Sequence, residues 1–398
     1  MHEEEHKSAE EVSESKPIVG HIREKFYQSE NSRLYDEKRW LQAYRNYRGL
    51  YGPEMVFRSN EKSRVFVKVT KTKVLAAFGQ IIEVLFSSGK FPLGINPTQV
   101  PEEIPEYAHL KPKQAQAPQQ PQDPYGFKGD GREIPPGATA DMLMKNLAQE
   151  FENVGFDEGP ANAGEPQIQP AEMAAKHLEK LLHDQLEESS AITVLRHVFF
   201  EQCLLGTGIL KGPFSFDHTY HAFDTAEDEQ GNVTNIHVKK IKTVPKVEAV
   251  SCWDFYPDPN ATSINDCDYV IQRHSLNRQQ FSDLRKMPYF DETAIDMCLE
   301  EGPNYQVRGY ESSLYNRETV ETIYKNRFEV LEYWGVVTKE MAQECGIDSD
   351  KDVINVNAWI CGGKVLRMVE NPFEPTRLPF MVCPYELNPY QFFGVGVP

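Results

Sequence analysis

Leu204-Leu-Gly-Thr-Gly-Ile-Leu-Lys-Gly-Pro213 is the stretch on which the reading of the fold turns. Upstream of it lie two apolar helical segments, 171–186 and 191–205; in the first, Met173, Leu178, Leu181, Leu182 and Leu186 fall on one side. Gly206 and Gly208 stop the helix, and from Ile209 onward β signals dominate. Asp228-Glu-Gln-Gly231-Asn232 reads as the turn of a hairpin between strands 214–223 and 233–247. A strand over 247–256 ends at Pro257-Asp258-Pro259-Asn260. Strand 269–274, helix 278–286 and strand 326–337 follow, and 353–360 with 364–369 form a hairpin turned by Gly362-Gly363. Helices first and strands after give an α+β class, with amphipathic helices packed on mixed or antiparallel strands.

Toward the N-terminus the pattern changes three times. Residues 1–20 begin MHEEEHKSAEEVSESK, which is acidic and polar; this excludes a signal peptide and reads as a disordered arm. Residues 21–100 form a helical and β part. A helix over 21–49 carries Ile22, Phe26, Leu34, Trp40, Leu41, Tyr44 and Tyr47, and ends at Tyr51-Gly52-Pro53. Residues 64–69 are β-rich, and a helix over 70–88 carries the stripe Val74, Leu75, Phe78, Ile81, Ile82 and Leu85 before Gly89. Residues 101–170 are rich in Pro, Gln and Gly (KPKQAQAPQQPQDP over 111–124) and read as a surface insertion with one short helix at 140–151. Residues 171–398 are the α/β region.

Composition narrows the function. With 40% hydrophobic residues the chain can bury a sizeable core, and no apolar run is long enough to span a bilayer. The seven cysteines are scattered without a C-x-x-C, so free thiols are expected rather than zinc ligands or disulfides. A net charge of −18 argues against a general nucleic-acid coat, though it does not exclude a protein past which DNA must slide, where a repulsive wall is useful.

The motifs that could carry chemistry fail on inspection. In Gly206-Thr-Gly208-Ile-Leu-Lys211-Gly212 a phosphate loop would need glycine where Lys211 stands, then Lys-Ser/Thr, and a strand before it and a helix after it; the order here is the reverse. His218 and His221 are three apart on a strand and face opposite sides, so they cannot share a metal ion. A calcium loop ending at Gly231 would put Ala226 at its first ligand position. No catalytic residue, cofactor or metal ligand is expected. One segment stands out by charge: Arg33, Arg39, Arg45, Arg48, Arg58, Arg64, Lys68, Lys71 and Lys73 lie in a basic island between Arg23 and Lys73, interleaved with Tyr and Trp. It is a candidate contact for DNA or for an acidic neighbouring subunit, against the plainer alternative of a solvated helix face.

Six strings, in order along the chain, resemble the portal proteins of short-tailed bacteriophages. They are Arg33–Trp40 with Tyr44–Gly49; Lys71-Thr-Lys-Val-Leu-Ala-Ala running on to Leu85-Phe86; Asp184-Gln-Leu with 204–213; Trp253-Asp-Phe-Tyr-Pro-Asp-Pro259; Glu329-Val-Leu-Glu-Tyr-Trp-Gly335; and Pro384-Tyr-Glu386 with Pro389-Tyr-Gln-Phe-Phe-Gly-Val-Gly-Val-Pro398. The 101–170 insertion has no counterpart in the resemblance. The resemblance implies a non-enzymatic subunit of a homo-oligomeric ring, usually of twelve copies, at one capsid vertex of the virion, assembled in the host cytoplasm. Through that ring double-stranded DNA enters and leaves. Its partners would be terminase, a tail adaptor, and the major capsid and scaffolding proteins, with no membrane. The chain would be mainly the wing of such a subunit, with stem, clip and crown beyond it. The alternative is a nucleic-acid-processing enzyme, such as a phage nuclease or ligase subunit; a third reading is an adaptor component without DNA contact. Trp253, Tyr256, Tyr333 and Trp334 are expected in the core of the wing. Phe392 and Phe393 need partners and nothing follows them to close a fold, so the native chain is expected to continue past Pro398 into channel helices.

Overall fold

The computed structural model describes residues 17–52, 55–60, 63–89, 91–97, 170–227, 233–315 and 324–398. These fall into two compact units, Met1–Pro92 with His183–Pro398, and Leu93–Leu182. The described part of the second unit is the segment 93–97 and most of helix α4 (Pro170–Glu188; numbering follows chain order), joined where the Ile95 amide donates to Glu179 at 3.4 Å. The expected insertion and its short helix lie almost wholly outside the described residues.

The first unit is built on two antiparallel sheets. Its helices are α1 (Pro17–Ser32), α2 (Leu34–Arg48), α3 (Val69–Phe86), α5 (Ala191–Leu205), α6 (Arg278–Asp283), α7 (Glu292–Glu301), α8 (Gly309–Tyr315) and α9 (Lys339–Gln343). Its strands are β1 (Thr207–Glu227), β2 (Val233–Val250), β3 (Phe255–Pro257), β4 (Tyr269–Asn277), β5 (Arg327–Thr338), β6 (Val353–Cys361), β7 (Lys364–Glu370) and β8 (Phe380–Pro384). One sheet has the order β2-β1-β8 and the other β3-β4-β5-β6-β7.

Strand β5 explains the layering. It is buried on both faces, so it reads as a continuous run of Val, Leu, Tyr and Trp rather than an alternation. Leu331, Tyr333 and Val337 point into one cluster, where Ile18, Val19, Ile22 and Phe26 of α1 cover the sheet. Phe328 and Val330 meet Phe281, Leu284 and Ile295 from the α6–α7 region. Trp334 reaches a third cluster that includes Trp40, Val74, Cys203, Leu204, Ile209, Phe255, Phe380 and Phe393, and so joins the two sheets with α2, α3 and α5.

Several expectations are corrected. The helix expected over 21–49 is two helices, broken at Arg33, and the first starts inside the expected arm because Ile18 and Val19 are fully buried. Leu34, placed on the apolar stripe, is exposed. No strand forms over the described residues of 64–69: Val65 and Val67 face solvent, and α3 begins at Val69. The strand expected over 247–256 is divided by a short helical turn at Cys252–Asp254. Helix α7 adds to the expected elements, and Asp291 caps it by accepting from the amides of Thr293 and Ala294 at 2.9 and 3.3 Å.

Candidate functional site

The glycines of the 204–213 stretch are there for close backbone approach. Gly206 has φ +100, and a Cβ on it would lie 2.6 Å from the Gly396 amide nitrogen. A Cβ on Gly208 would lie 2.7 Å from the Val198 carbonyl oxygen. The chain's last described turn docks there: the Tyr385 amide donates to the Gly206 carbonyl at 2.8 Å, Val397 to Cys203 at 3.0 Å, and the Gly394 amide to the buried Thr207 hydroxyl at 2.9 Å. Phe393 packs edge-on against Trp40 at 4.9 Å and Phe392 stacks on Phe255 at 5.9 Å. The expectation that these two aromatics lacked partners is therefore corrected: their partners come from far upstream.

Lys211, the residue a phosphate loop would have used, is buried and committed. Its ammonium sits 2.6 Å from Glu332, which also binds His274 at 2.7 Å and the Trp334 indole at 2.7 Å. Burial alone would push the Glu332 carboxyl up; Lys211 and His274 overcome it and hold the carboxyl well below its ordinary range. This cluster ties β1 of one sheet to β4 and β5 of the other. Arg273 is a second buried cation, held by Glu329 at 2.7 Å and Glu311 at 3.3 Å.

Arg33 leaves the basic surface altogether. It is 2% exposed, at the break between α1 and α2. Its guanidinium donates to Glu37 at 3.0 Å and to the carbonyls of Cys252 at 3.1 Å, Trp253 at 2.6 Å and Phe255, and it lies 3.9 Å from the centre of the Tyr256 ring. It clamps the turn 252–255 onto the helix pair and is buried away from any surface that DNA could reach, which corrects its assignment as a contact residue. The other members keep outward positions. Arg39 pairs with Asp36 at 2.6 Å, Arg48 donates to the Tyr44 hydroxyl at 3.0 Å, and Arg45 is half-buried in the last turn of α2. Arg58, Arg64, Lys68, Lys71 and Lys73 are exposed, Arg64 over the Phe57 ring at 4.9 Å. Tyr256, Tyr333 and Trp334 are buried; Trp253 is half-buried and stacks on Tyr310 at 4.6 Å.

A cleft of about 560 Å³ opens beside this core, lined by Tyr44, Phe78, Phe200, Trp253 and Glu201 among others. Burial pushes the Glu201 carboxyl up to about 7, against hydrogen bonds from the Ser251 hydroxyl at 2.5 Å and the Cys252 amide at 3.3 Å. Glu332, His274, Glu201 and Thr207 were not singled out from the sequence, because single polar residues inside apolar runs carry no spacing signal. Of the two histidines weighed on β1, His221 stacks instead on His237 of β2 at 4.6 Å.

Among the described residues, no helix is long and apolar enough to cross a membrane. No curated protein matches the chain. Residues 185–398 match the family described as "Phage SU10 portal protein". The match is more than half of the chain and runs from the end of α4 through both sheets to the glycine contact at 206 and 394–396. The chain belongs to this phage portal family, a structural and non-enzymatic kind of protein.

Proposed function

We propose that the chain is one subunit of a ring at a capsid vertex, the channel through which double-stranded DNA is packaged and ejected. The family match over 185–398 carries this reading. The ring serves as the platform on which a terminase motor and later a tail adaptor dock, alongside capsid and scaffolding proteins, and it assembles in the host cytoplasm. The net charge of −18 supports a channel that does not hold DNA tightly. Arg39, Arg45, Arg48, Arg58, Arg64, Lys68, Lys71 and Lys73 are the cationic side chains offered to DNA or to an acidic neighbouring subunit. The chain supplies the wing of the subunit, and force on the DNA comes from a separate motor ATPase. Electron microscopy and mass measurement of the purified protein test the reading. Rings of roughly ten or more copies with a central hole are expected; a stable monomer at high concentration overturns it.

A further inference from the structure

Strands β1 and β2 run together far past the body of their sheet. They pair from Ile209↔Val250 to Glu227↔Val233, whereas β8 lies along β1 only over Thr207–Lys211. Beyond Lys211 the two strands are a ribbon with no third strand among the described residues. A lone two-stranded ribbon in water is marginal. This one also exposes large apolar side chains on both faces: Phe216 43% and Tyr220 40% on one, Phe223 76% and Ile241 67% on the other.

The two free edges differ in charge. Among the side chains described, strand β1 carries Asp217, which accepts from the Thr243 hydroxyl at 2.5 Å, and the buried Lys211. Strand β2 carries Lys239, Lys240, Lys242 and Lys246, of which Lys242 pairs with Glu188 at 2.5 Å and Lys246 with Glu248 at 2.6 Å, and has Pro245 near its base. Lysine and proline are what keep an edge strand from pairing with its like. Two β2 edges would set lysines against lysines, so a two-fold contact between ribbons through β2 is disfavoured. The pairing that matches charge is β1 of one copy with β2 of another. That contact is head-to-tail, the kind that a closed ring repeats between each copy and the next.

We propose that the ribbon, residues 214–227 and 233–247, joins neighbouring copies of this chain edge to edge, with the β1 edge of one lying along the β2 edge of the next. The inference rests on the ring reading above and adds the surface that closes it. Under cyclic symmetry all ribbons point the same way, so an outgoing β1 meets a returning β2 and the new ladder is antiparallel. The stretch 214–223 is about 33 Å long at strand rise. Phe216, Tyr220 and Phe223 then lose water against the neighbour's Val238, Ile241 and Val244.

The test uses the full chain and two measurements. The double variant Phe216→Lys/Tyr220→Lys, at two exposed positions, gives β1 the same blunted edge as β2. It is expected to melt like the wild type and to remain monomeric at concentrations where the wild type forms rings. Hydrogen exchange on the wild type needs no variant: half of the amides in 214–223, those pointing away from β2, should gain protection in rings over dissociated subunits. Rings formed by the variant at wild-type concentration, or equal exchange of 214–223 in both states, overturn the proposal and leave the ring reading standing. A wild-type chain that forms no ring overturns the ring reading, and this proposal with it.

Discussion

Replacing Arg33 with alanine removes the clamp between the first two helices and the 252–255 turn. The carbonyls of Cys252, Trp253 and Phe255 each lose a donor, Trp253 keeping the Tyr310 hydroxyl at 3.3 Å, and Glu37 loses the cation it was buried with. Breaking a buried ion pair by removing one partner costs about 3–5 kcal/mol. Each stranded carbonyl adds about 1–3 kcal/mol unless water reaches it. The terms overlap, since one cavity admits water to several groups, and a total loss of about 4–6 kcal/mol is expected. Arg33→Lys keeps the charge, but one ammonium cannot span three carbonyls and a carboxylate; it should lose about half as much. The exposed Arg58→Ala is the control and should stay within about 0.5 kcal/mol of wild type. Urea unfolding followed by tryptophan fluorescence suits the question, because Trp40 and Trp253 both border the site. A loss below about 1 kcal/mol for Arg33→Ala, at unchanged slope, would refute the clamp and return Arg33 to the candidate DNA contacts.

Three further outcomes are expected. Glu332→Gln should cost about 3–5 kcal/mol by leaving Lys211 buried and unpaired, Lys211→Met should cost less because Glu332 keeps His274 and the Trp334 indole, and the double variant should cost less than the sum; full additivity in a double-mutant cycle would mean the pair does not act as one. Gly206→Ala should lose about 2–5 kcal/mol through its left-handed backbone and overpacking against Gly394 and Gly396, read as a lowered thermal midpoint; a wild-type midpoint would show that the 394–396 segment is not seated there. Glu201 has a folded pKa near 7, above its ordinary 4.5, so its contribution is complete below about pH 4.5 and is lost as pH rises through 7. That loss is up to about 3 kcal/mol, and Glu201→Gln should remove the corresponding slope; equal pH profiles for the two proteins would count against the shift.

Local pattern made much of this molecule legible. Helix 191–205, the long hairpin after Gly206, the aromatic strand over 327–338 and the hairpin at Gly362-Gly363 follow from periodicity and turn chemistry, which depend on neighbours a few residues apart. The same periodicity misled where an element's surroundings decide. Val65 and Val67 have strand propensity but no strand beside them among the described residues, and an unpaired segment does not form a ladder. Six ordered strings sufficed to suggest the family, and the spacing around Lys211 sufficed to discard the phosphate loop.

What only the tertiary structure decided are the contacts between positions more than a hundred residues apart. That Gly206 faces Gly394, that Lys211 meets Glu332, and that Arg33 holds the 252–255 turn could not be read from any window, because no spacing rule links such residues. Arg33 shows the physical reason most directly. As a letter it is one more cation in a basic run, and its type predicts exposure. Folding supplies three carbonyls, a carboxylate and two aromatic faces around it, and those offset the cost of taking its charge out of water.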